Sequence, residues 1–293
     1  MKKIIVLGIV LTLVLSVLSG CGSNGTQGKK DTKSITASGS SALQPLVQKI
    51  ADLYNIKNPD ISIIVSGGGS GEGLKNVLNG VSDIGNSDVA AAEKLSASDA
   101  STLVDNKVCV VGVGVVVNNE VANLISGVTK DQLKDIFAGK TKNWKEIEGP
   151  NLPIVIINRP ASSGTRALFV KWGLDGQKSI DGDQSLQTDD SNALVETIYK
   201  TKGSIGYLAL PYIFSNLEKV VPLYIDEVEA SNENIYNNTY PIWGYEHMYT
   251  KGTPGTTVQK FLGFILSDSV ETQIEEMGYG AIRKLSPAAA KSR

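Results

Sequence analysis

The stretch NRPASSGTRALF, residues 158–169, contains the pattern that decides the fold. The run before it, residues 152–157, is apolar and rich in β-branched side chains, which predicts a buried strand. The small residues from Ser162 to Thr165 are typical of a turn that ends a strand and caps a helix. Residues 167–172 then suit a helix, so the sequence predicts a strand, a Ser/Gly turn and a helix in direct succession.

This junction also has the chemistry of an anion site. The first amides of a helix have no internal partner and carry the positive end of the helix dipole, which favours anions. Arg159 adds a permanent charge and a planar fork of donors that suits an oxyanion. The alternative is an ordinary capped helix beside a surface arginine, and this segment alone leaves both interpretations open.

The same succession occurs twice more. Residues 34–37 predict a strand, residues 38–41 a Ser/Gly turn, and an apolar stripe from Leu43 to Tyr54 a helix. Residues 61–65 predict another strand, followed by SGGGSGEG at 66–73 and a helix over 74–78. The glycines of this loop would let its backbone approach a ligand closely and adopt positive φ. The alternative is that the loop is a flexible hairpin tip. Neither a Walker loop nor the dinucleotide fingerprint matches this loop.

The rest of the chain predicts further strands and helices. The predicted strands are 81–85, 108–117, 204–208, 220–223 and 240–245, and the predicted helices are 129–137, 193–200 and two near the end of the chain. The segments 175–190 and 226–233 are expected to be a polar loop and a solvated acidic surface. Alternating strands and helices predict parallel α/β sheets, in which ligands lie at the carboxyl ends of strands. Three Ser/Gly junctions could thus converge on one ligand.

The N-terminal residues predict export rather than fold. Lys2 and Lys3 precede an apolar run over 4–18, which is short for a membrane span and typical of a signal peptide. Leu18-Ser19-Gly20-Cys21 resembles the bacterial lipobox, so residues 1–20 are predicted to be removed and Cys21 to be lipidated. Residues 21–33 would form a flexible tether. The alternative is a secretory signal with Cys21 near the cleavage site by chance. The expected location is extracytoplasmic, lipid-anchored to the bacterial cell membrane.

Composition argues against several functions. The formal charge is −2, and removal of Lys2 and Lys3 makes it about −4, so no basic surface for nucleic acid is expected. Cys109 lies in an apolar run and is expected to be a buried structural thiol. His247 is the single histidine, which disfavours both a zinc site and a Ser-His hydrolase. We expect neither a metal nor another cofactor.

Four motifs in order give the chain a family resemblance. They are SGSSALQP at 38–45, SGGGSGEG at 66–73, DIGNSD at 83–88 and NRPASSGTR at 158–166, with weaker cues at 128–144 and 240–245. The chain from 35 to 282 resembles the phosphate-binding lipoproteins of phosphate ABC importers, within the type II periplasmic-binding-protein superfamily. The resemblance implies an α/β, two-lobed venus-flytrap fold with two crossover hinge strands. Lobe 1 would comprise 34–116 plus 241–293, and lobe 2 would comprise 117–240, with the ligand in the cleft between them.

The resemblance also implies a set of phosphate ligands in this chain. Hydroxyl donors, backbone amide donors, one guanidinium and one carboxylate acceptor make up the set. Its members are Ser41, Ala42, Ser70, Asp88, Arg159, Ser163, Gly164 and Thr165. The family often has an aromatic residue where Ala42 stands, but this position would contribute its backbone.

Asp88 is the one acceptor among these donors. An ionised carboxylate can only accept, so it fits a protonated oxyanion such as phosphate and repels fully ionised sulfate. A site that demands one hydrogen bond can reject an analogue lacking it by roughly 10⁴–10⁵. The alternative for Asp88 is a local Asx-turn or helix cap.

The function implied by the resemblance is capture of inorganic phosphate and its delivery to an ABC permease and ATPase. Three alternatives remain at this point. The same fold could bind another oxyanion such as sulfate or molybdate, which Asp88 disfavours. A phosphoester hydrolase could use Ser41, Ser163 or Thr165, although no general base is evident beside them. The third alternative is a surface protein that uses the same fold for sensing or adhesion, as a role in addition to binding.

Overall fold

The computed structural model describes residues 33–181 and 185–293. The predicted signal peptide, Cys21 and the tether up to residue 32 lie outside the described residues. Within the described part of the chain, no helix is both long and apolar enough to cross a membrane.

The strands alternate with helices along the chain, as predicted. They are β1 (Lys33–Gly39), β2 (Ile61–Gly68), β3 (Ile84–Ser87), β4 (Leu103–Val117), β5 (Gly127–Val128), β6 (Val155–Asn158), β7 (Ser185–Gln187), β8 (Ser204–Ala209), β9 (Val221–Pro222), β10 (Tyr224–Ile225) and β11 (Trp243–Lys251).

Nine of these strands form one sheet in the order β2-β1-β3-β11-β4-β8-β6-β7, with β9 paired to β4, and β5 pairs with β10 apart from it. The sheet is mixed, so the prediction of parallel sheets was wrong in part. The pairs of β1 with β2 and β3, and of β6 with β7 and β8, are parallel. Strand β11 runs antiparallel to β3 and β4, and β8 is antiparallel to β4. Hydrophobic periodicity carries no information about strand direction.

Strand β4 connects the two parallel parts of the sheet. It pairs with β11 from Leu103 to Gly112 and with β8 from Val113 to Val117. Its last ten residues are buried, because both faces are covered. Cys109 in this stretch is a free, buried thiol, as predicted.

The helices flank this sheet and are mostly short. They are α1 (Gln44–Lys57), α2 (Ser70–Leu78), α3 (Ala97–Ala100), α4 (Asn119–Ala122), α5 (Lys130–Phe137), α6 (Gly164–Leu168), α7 (Ser191–Lys200), α8 (Leu210–Phe214), α9 (Asn232–Tyr236), α10 (Thr256–Ile265), α11 (Glu271–Glu276) and α12 (Pro287–Lys291).

Local sequence explains where several helices begin. Thr129 and Gln132 form the predicted capping box of α5, each side chain satisfying the other's backbone amide. Pro45 occupies the first turn of α1, where its missing N–H costs little. Helix α6 continues into a π-helical turn over Phe169–Gly173.

Some sequence predictions need correction. The strand predicted at 81–85 is displaced to Ile84–Ser87, and residues 81–83 form a bend. The predicted loop 175–190 contains the short strand β7, and the predicted acidic surface overlaps α9. These elements depend on pairing or packing with distant residues, so local composition alone does not predict them.

Candidate anion-binding site

The three Ser/Gly junctions meet at one place in the structure. Strands β1, β2 and β6 end at the starts of α1, α2 and α6, respectively. Every predicted ligand residue is buried, and even Ser41 is only 7% exposed. Asp88 lies directly after β3, which pairs with β1. The structure therefore brings together all eight residues that the sequence singled out.

Asp88 joins the second junction to the third. Thr165 Oγ1 donates to Asp88 Oδ2 at 2.7 Å, and Ser70 Oγ donates to Asp88 Oδ1 at 3.3 Å. The amide of Asp88 donates in turn to Ser70 Oγ at 2.9 Å. Asp88 is thus held by tertiary contacts, unlike the Asx-turn or helix cap that was its alternative.

Gly164 permits this close approach. A Cβ at this position would lie 2.1 Å from Ser70 Oγ and 2.9 Å from Asp88 Cβ, both well inside van der Waals contact. The backbone at the start of α6 can therefore reach Ser70 and Asp88 only if residue 164 has no side chain.

Two more contacts hold the same elements together. The amide of Gly71 donates to the carbonyl of Ser162 at 3.0 Å. The Lys94 ammonium donates to the carbonyls of Ala161 and Ser163 at 2.8 and 3.0 Å. Burial lowers the pKa of Lys94, while the nearby charge of Asp88 opposes this effect. Sequence reasoning missed Lys94, because a lysine followed by a polar loop carries no sign of a partner 67 residues away.

Arg159 is completely buried, which excludes its interpretation as a surface arginine. Its Nη1 donates to the carbonyl of Asp189 at 3.0 Å, and its Nη2 donates to Ser191 Oγ at 2.9 Å. Among the described residues, its Nε has no hydrogen-bond partner. Ser41 Oγ donates to the same Asp189 carbonyl at 2.9 Å, which links the first junction to Arg159.

The backbone around Arg159 is fixed by a buried network. Asn158 Oδ1 accepts from the Arg159 amide at 2.9 Å and from Tyr207 Oη at 2.6 Å. The Arg159 carbonyl accepts from Arg166 Nη1 at 2.6 Å, and Arg166 forms an ion pair with Asp181. These contacts fix the backbone of Arg159, and the bonds to the Asp189 carbonyl and to Ser191 hold its guanidinium in one orientation, which lowers the entropy cost of binding an anion.

Five backbone amides at the junctions have no acceptor among the described residues. They belong to Ser41, Ala42, Ser70, Gly164 and Thr165. Buried amides without partners are costly and rare in folded proteins, so a cluster of them indicates a place for an acceptor.

The side chains around these amides leave further protons available. Ser163 Oγ accepts from the Arg166 amide as the N-cap of α6, so its hydroxyl proton is free to donate outward. Tyr212 and Tyr279 donate to the carbonyls of Ser41 and Ala42, which fixes the turn before α1. The arrangement can therefore surround a small oxyanion with donors from three directions.

Asp189 is a second carboxylate in this cluster that sequence reasoning missed. Its Oδ1 lies 3.5 Å from Arg159 Nη1, and its Oδ2 lies beside Gly69. Burial raises the pKa of Asp189, whereas Arg159 and Ser163 act to lower it. It lies in the segment 175–190, for which the sequence predicts a polar loop, and nothing in the local sequence separates it from its solvated neighbours.

The sequence was compared with protein-family models and with known proteins, and the two comparisons agree. Residues 24–269 match the family model described as a PBP superfamily domain. The chain is 41% identical over 289 residues to the phosphate-binding protein PstS of Bacillus subtilis, covering 95% of this chain and 94% of that protein. It is 27% identical over 300 residues to PstS of Staphylococcus epidermidis, covering 97% of this chain and 90% of that protein.

Solved structures show the same relationship. A substrate-binding protein from Clostridium perfringens, assigned to phosphate ABC transport and containing bound phosphate, matches with a TM-score of 0.76 at 26% identity. The match covers 85% of this chain and 100% of that one. An ABC-type phosphate transport receptor from Vibrio cholerae matches with a TM-score of 0.66 at 25% identity, covering 84% of this chain and 99% of that one.

Proposed function

Because this chain belongs to the PBP superfamily, and within it to the family of phosphate-binding proteins, we propose that it captures inorganic phosphate at the three-junction site. It is the solute-binding receptor of an ABC importer and not an enzyme. Its partners are the permease and ATPase subunits, which receive and transport the phosphate.

The convergence of the three junctions is the observation that carries this proposal. Phosphate would accept from the five unpaired amides, from the Ser163 hydroxyl and from Arg159. The hydroxyls of Ser41, Ser70 and Thr165 would also donate to it after turning away from their present acceptors, the Asp189 carbonyl and the Asp88 carboxylate. Charge-assisted hydrogen bonds contribute roughly 1.5–3 kcal/mol net each. Micromolar affinity requires about −8 kcal/mol. Several such bonds exceed this value and leave free energy to desolvate the anion and close the site.

Asp88 would select for a protonated anion. Its two oxygens already accept from Ser70 and Thr165, but each oxygen of a carboxylate has a second lone pair. A phosphate O–H would donate to one of these, whereas sulfate has no proton to offer. This supports phosphate over sulfate or molybdate as the solute.

The two-lobed fold predicted from the sequence is confirmed by the structural matches. We assign 34–116 plus 241–293 to one lobe and 117–240 to the other. In support, β4 changes its partner from β11 to β8 between Gly112 and Val113. Small-angle scattering should show a decrease in radius of gyration when phosphate is added, and an unchanged radius would contradict closure about this hinge.

We further propose that the protein is extracytoplasmic and lipid-anchored through Cys21. A signal peptide ending in a lipobox supports this, and several acyl chains on one residue would hold the protein stably at the membrane. Cys21→Ser should release the protein from the membrane fraction into the soluble fraction, and continued membrane attachment would contradict the anchor.

Isothermal titration calorimetry of residues 33–293, whose described part forms one compact unit, tests the proposed function. We expect phosphate to bind with micromolar or tighter affinity. Sulfate should bind with an affinity at least a hundredfold lower. Absence of heat with phosphate would contradict the proposal. Equal affinities for both anions would contradict the role of Asp88.

A further inference from the structure

The Asp189 side chain lies where the donors of the site converge. Its Oδ2 is so close to Gly69, the residue before α2, that a Cβ there would lie 2.1 Å from it. Its Oδ1 lies 3.5 Å from the Arg159 guanidinium. The carboxylate therefore lies between the second junction and the arginine of the third.

The ion pair with Arg159 involves only one of the two carboxylate oxygens, and at 3.5 Å it is longer than a good charge-assisted hydrogen bond. Both oxygens are buried, and neither accepts a hydrogen bond of normal length and angle from a described residue, although Arg159 and Ser163 lie close enough to lower the pKa of Asp189. A buried carboxylate without donors is unfavourable, so a purely structural role would be costly. Its negative charge also faces Asp88, which contributes to the raised pKa of Asp189.

The backbone of the same residue engages two of the donors assigned to phosphate. The Asp189 carbonyl accepts from Ser41 Oγ at 2.9 Å and from Arg159 Nη1 at 3.0 Å. Residue 189 therefore offers the site a carbonyl oxygen and two carboxylate oxygens. Phosphate would need the same guanidinium and the same hydroxyl.

A dianion cannot enter beside two buried carboxylates without strong repulsion, because charges at short range interact by several kcal/mol even at moderate dielectric. We propose that the Asp189 carboxylate is an internal occupant of the anion site that phosphate displaces, so that Asp189 sets the affinity of the receptor. This inference rests on the proposed function and adds a residue that determines affinity.

The consequence is that the Asp189 carboxylate and phosphate compete for the same anion site. The apparent dissociation constant equals the intrinsic constant divided by the fraction of molecules in which the site is free. If Asp189 occupies the site in nine of ten molecules, removal of its charge raises the phosphate affinity about tenfold. In the absence of phosphate the Asp189 carboxylate would also fill the space between Gly69 and Arg159, so that its removal opens the start of α2 to water.

The test compares Asp189→Asn and Asp189→Ala with Asp190→Asn as the matched control. Asp190 is the neighbouring acidic residue, exposed to solvent, and caps α7 by accepting from the Ala193 amide at 2.7 Å. Asparagine retains that cap while removing the same charge. Calorimetric titration with inorganic phosphate should give about tenfold tighter binding for both Asp189 variants and less than a twofold change for Asp190→Asn.

A second measurement does not depend on phosphate. Amide hydrogen exchange of peptides covering 69–73 should be faster in phosphate-free Asp189→Asn than in the wild type, and unchanged in Asp190→Asn. Weaker or unchanged phosphate affinity in the Asp189 variants would overturn the proposal, as would unchanged exchange. A wild type that binds no phosphate would refute the proposed function instead, and the exchange experiment would still decide whether Asp189 occupies the site.

Discussion

Replacement of Arg159 by alanine should weaken phosphate binding far more than removal of any surface charge. The guanidinium is fully buried, and its two terminal nitrogens already make hydrogen bonds at 2.9 and 3.0 Å. If it offers phosphate two charge-assisted bonds of roughly 1.5–3 kcal/mol each, their loss amounts to about 3–6 kcal/mol. Since about 1.4 kcal/mol corresponds to a factor of ten, the dissociation constant should rise by roughly 10²–10⁴.

Calorimetric titration with phosphate measures this change directly. Arg283→Ala is the control, because Arg283 is largely exposed and pairs with Glu271 at the surface. Arg159→Lys should give an intermediate loss, since lysine retains the charge but not the planar fork. Circular dichroism and a melting curve will show that each variant is folded. An Arg159→Ala dissociation constant within threefold of that of Arg283→Ala would refute the role of the buried guanidinium.

Three further predictions follow from contacts in the site and the core. Gly164→Ala should weaken phosphate binding at least tenfold, because its Cβ would collide with Ser70 Oγ. Gly263→Ala is the control, since Gly263 has open space around it, and should not affect binding. Equal phosphate affinities of the two variants would contradict the close approach at Gly164. Asp88→Asn should reduce the phosphate-to-sulfate affinity ratio at least tenfold, and an unchanged ratio in competition titrations would contradict proton recognition. Burial raises the pKa of Glu246 well above its usual value of 4.5, so at a pH between the unfolded and the folded pKa this carboxyl is protonated when folded and ionised when unfolded. Its contribution to stability is therefore greatest at low pH and decreases by about 1.4 kcal/mol per pH unit as pH rises toward the folded pKa. Glu246→Gln should remove this decrease in urea unfolding measured as the pH rises above 4.5, and parallel pH profiles for the two proteins would contradict it.

The parts of the fold that could be predicted from the sequence are those determined by residues a few positions apart. The junction at 158–169 shows a strand, an N-cap and a helix within a few residues, and the structure contains β6, Ser163 as N-cap and α6 there. The capping box at Thr129 was predicted for the same reason, because both partners lie within one helical turn. The direction of β11 could not be predicted, since it depends on the path of the chain between distant elements.

The same distinction applies to the site. The Ser/Gly junctions have a local signature, so their grouping could be expected from the rule for carboxyl ends of strands. Asp189 and Lys94 act across long sequence separations, and their neighbours in sequence are ordinary polar residues. Their positions follow from the packing of the whole sheet, which brings residue 189 next to residues 41, 69 and 159.

A crystal structure of the protein with bound phosphate tests the central claim most directly. The account predicts one phosphate whose oxygens lie about 2.7–3.1 Å from donors of all three junctions, including the amides of Ala42 and Gly164 and the Arg159 guanidinium. The Asp189 carboxylate should have moved away from Gly69. Phosphate bound at another surface, or held by a single junction while the other two remain unoccupied, would contradict the account.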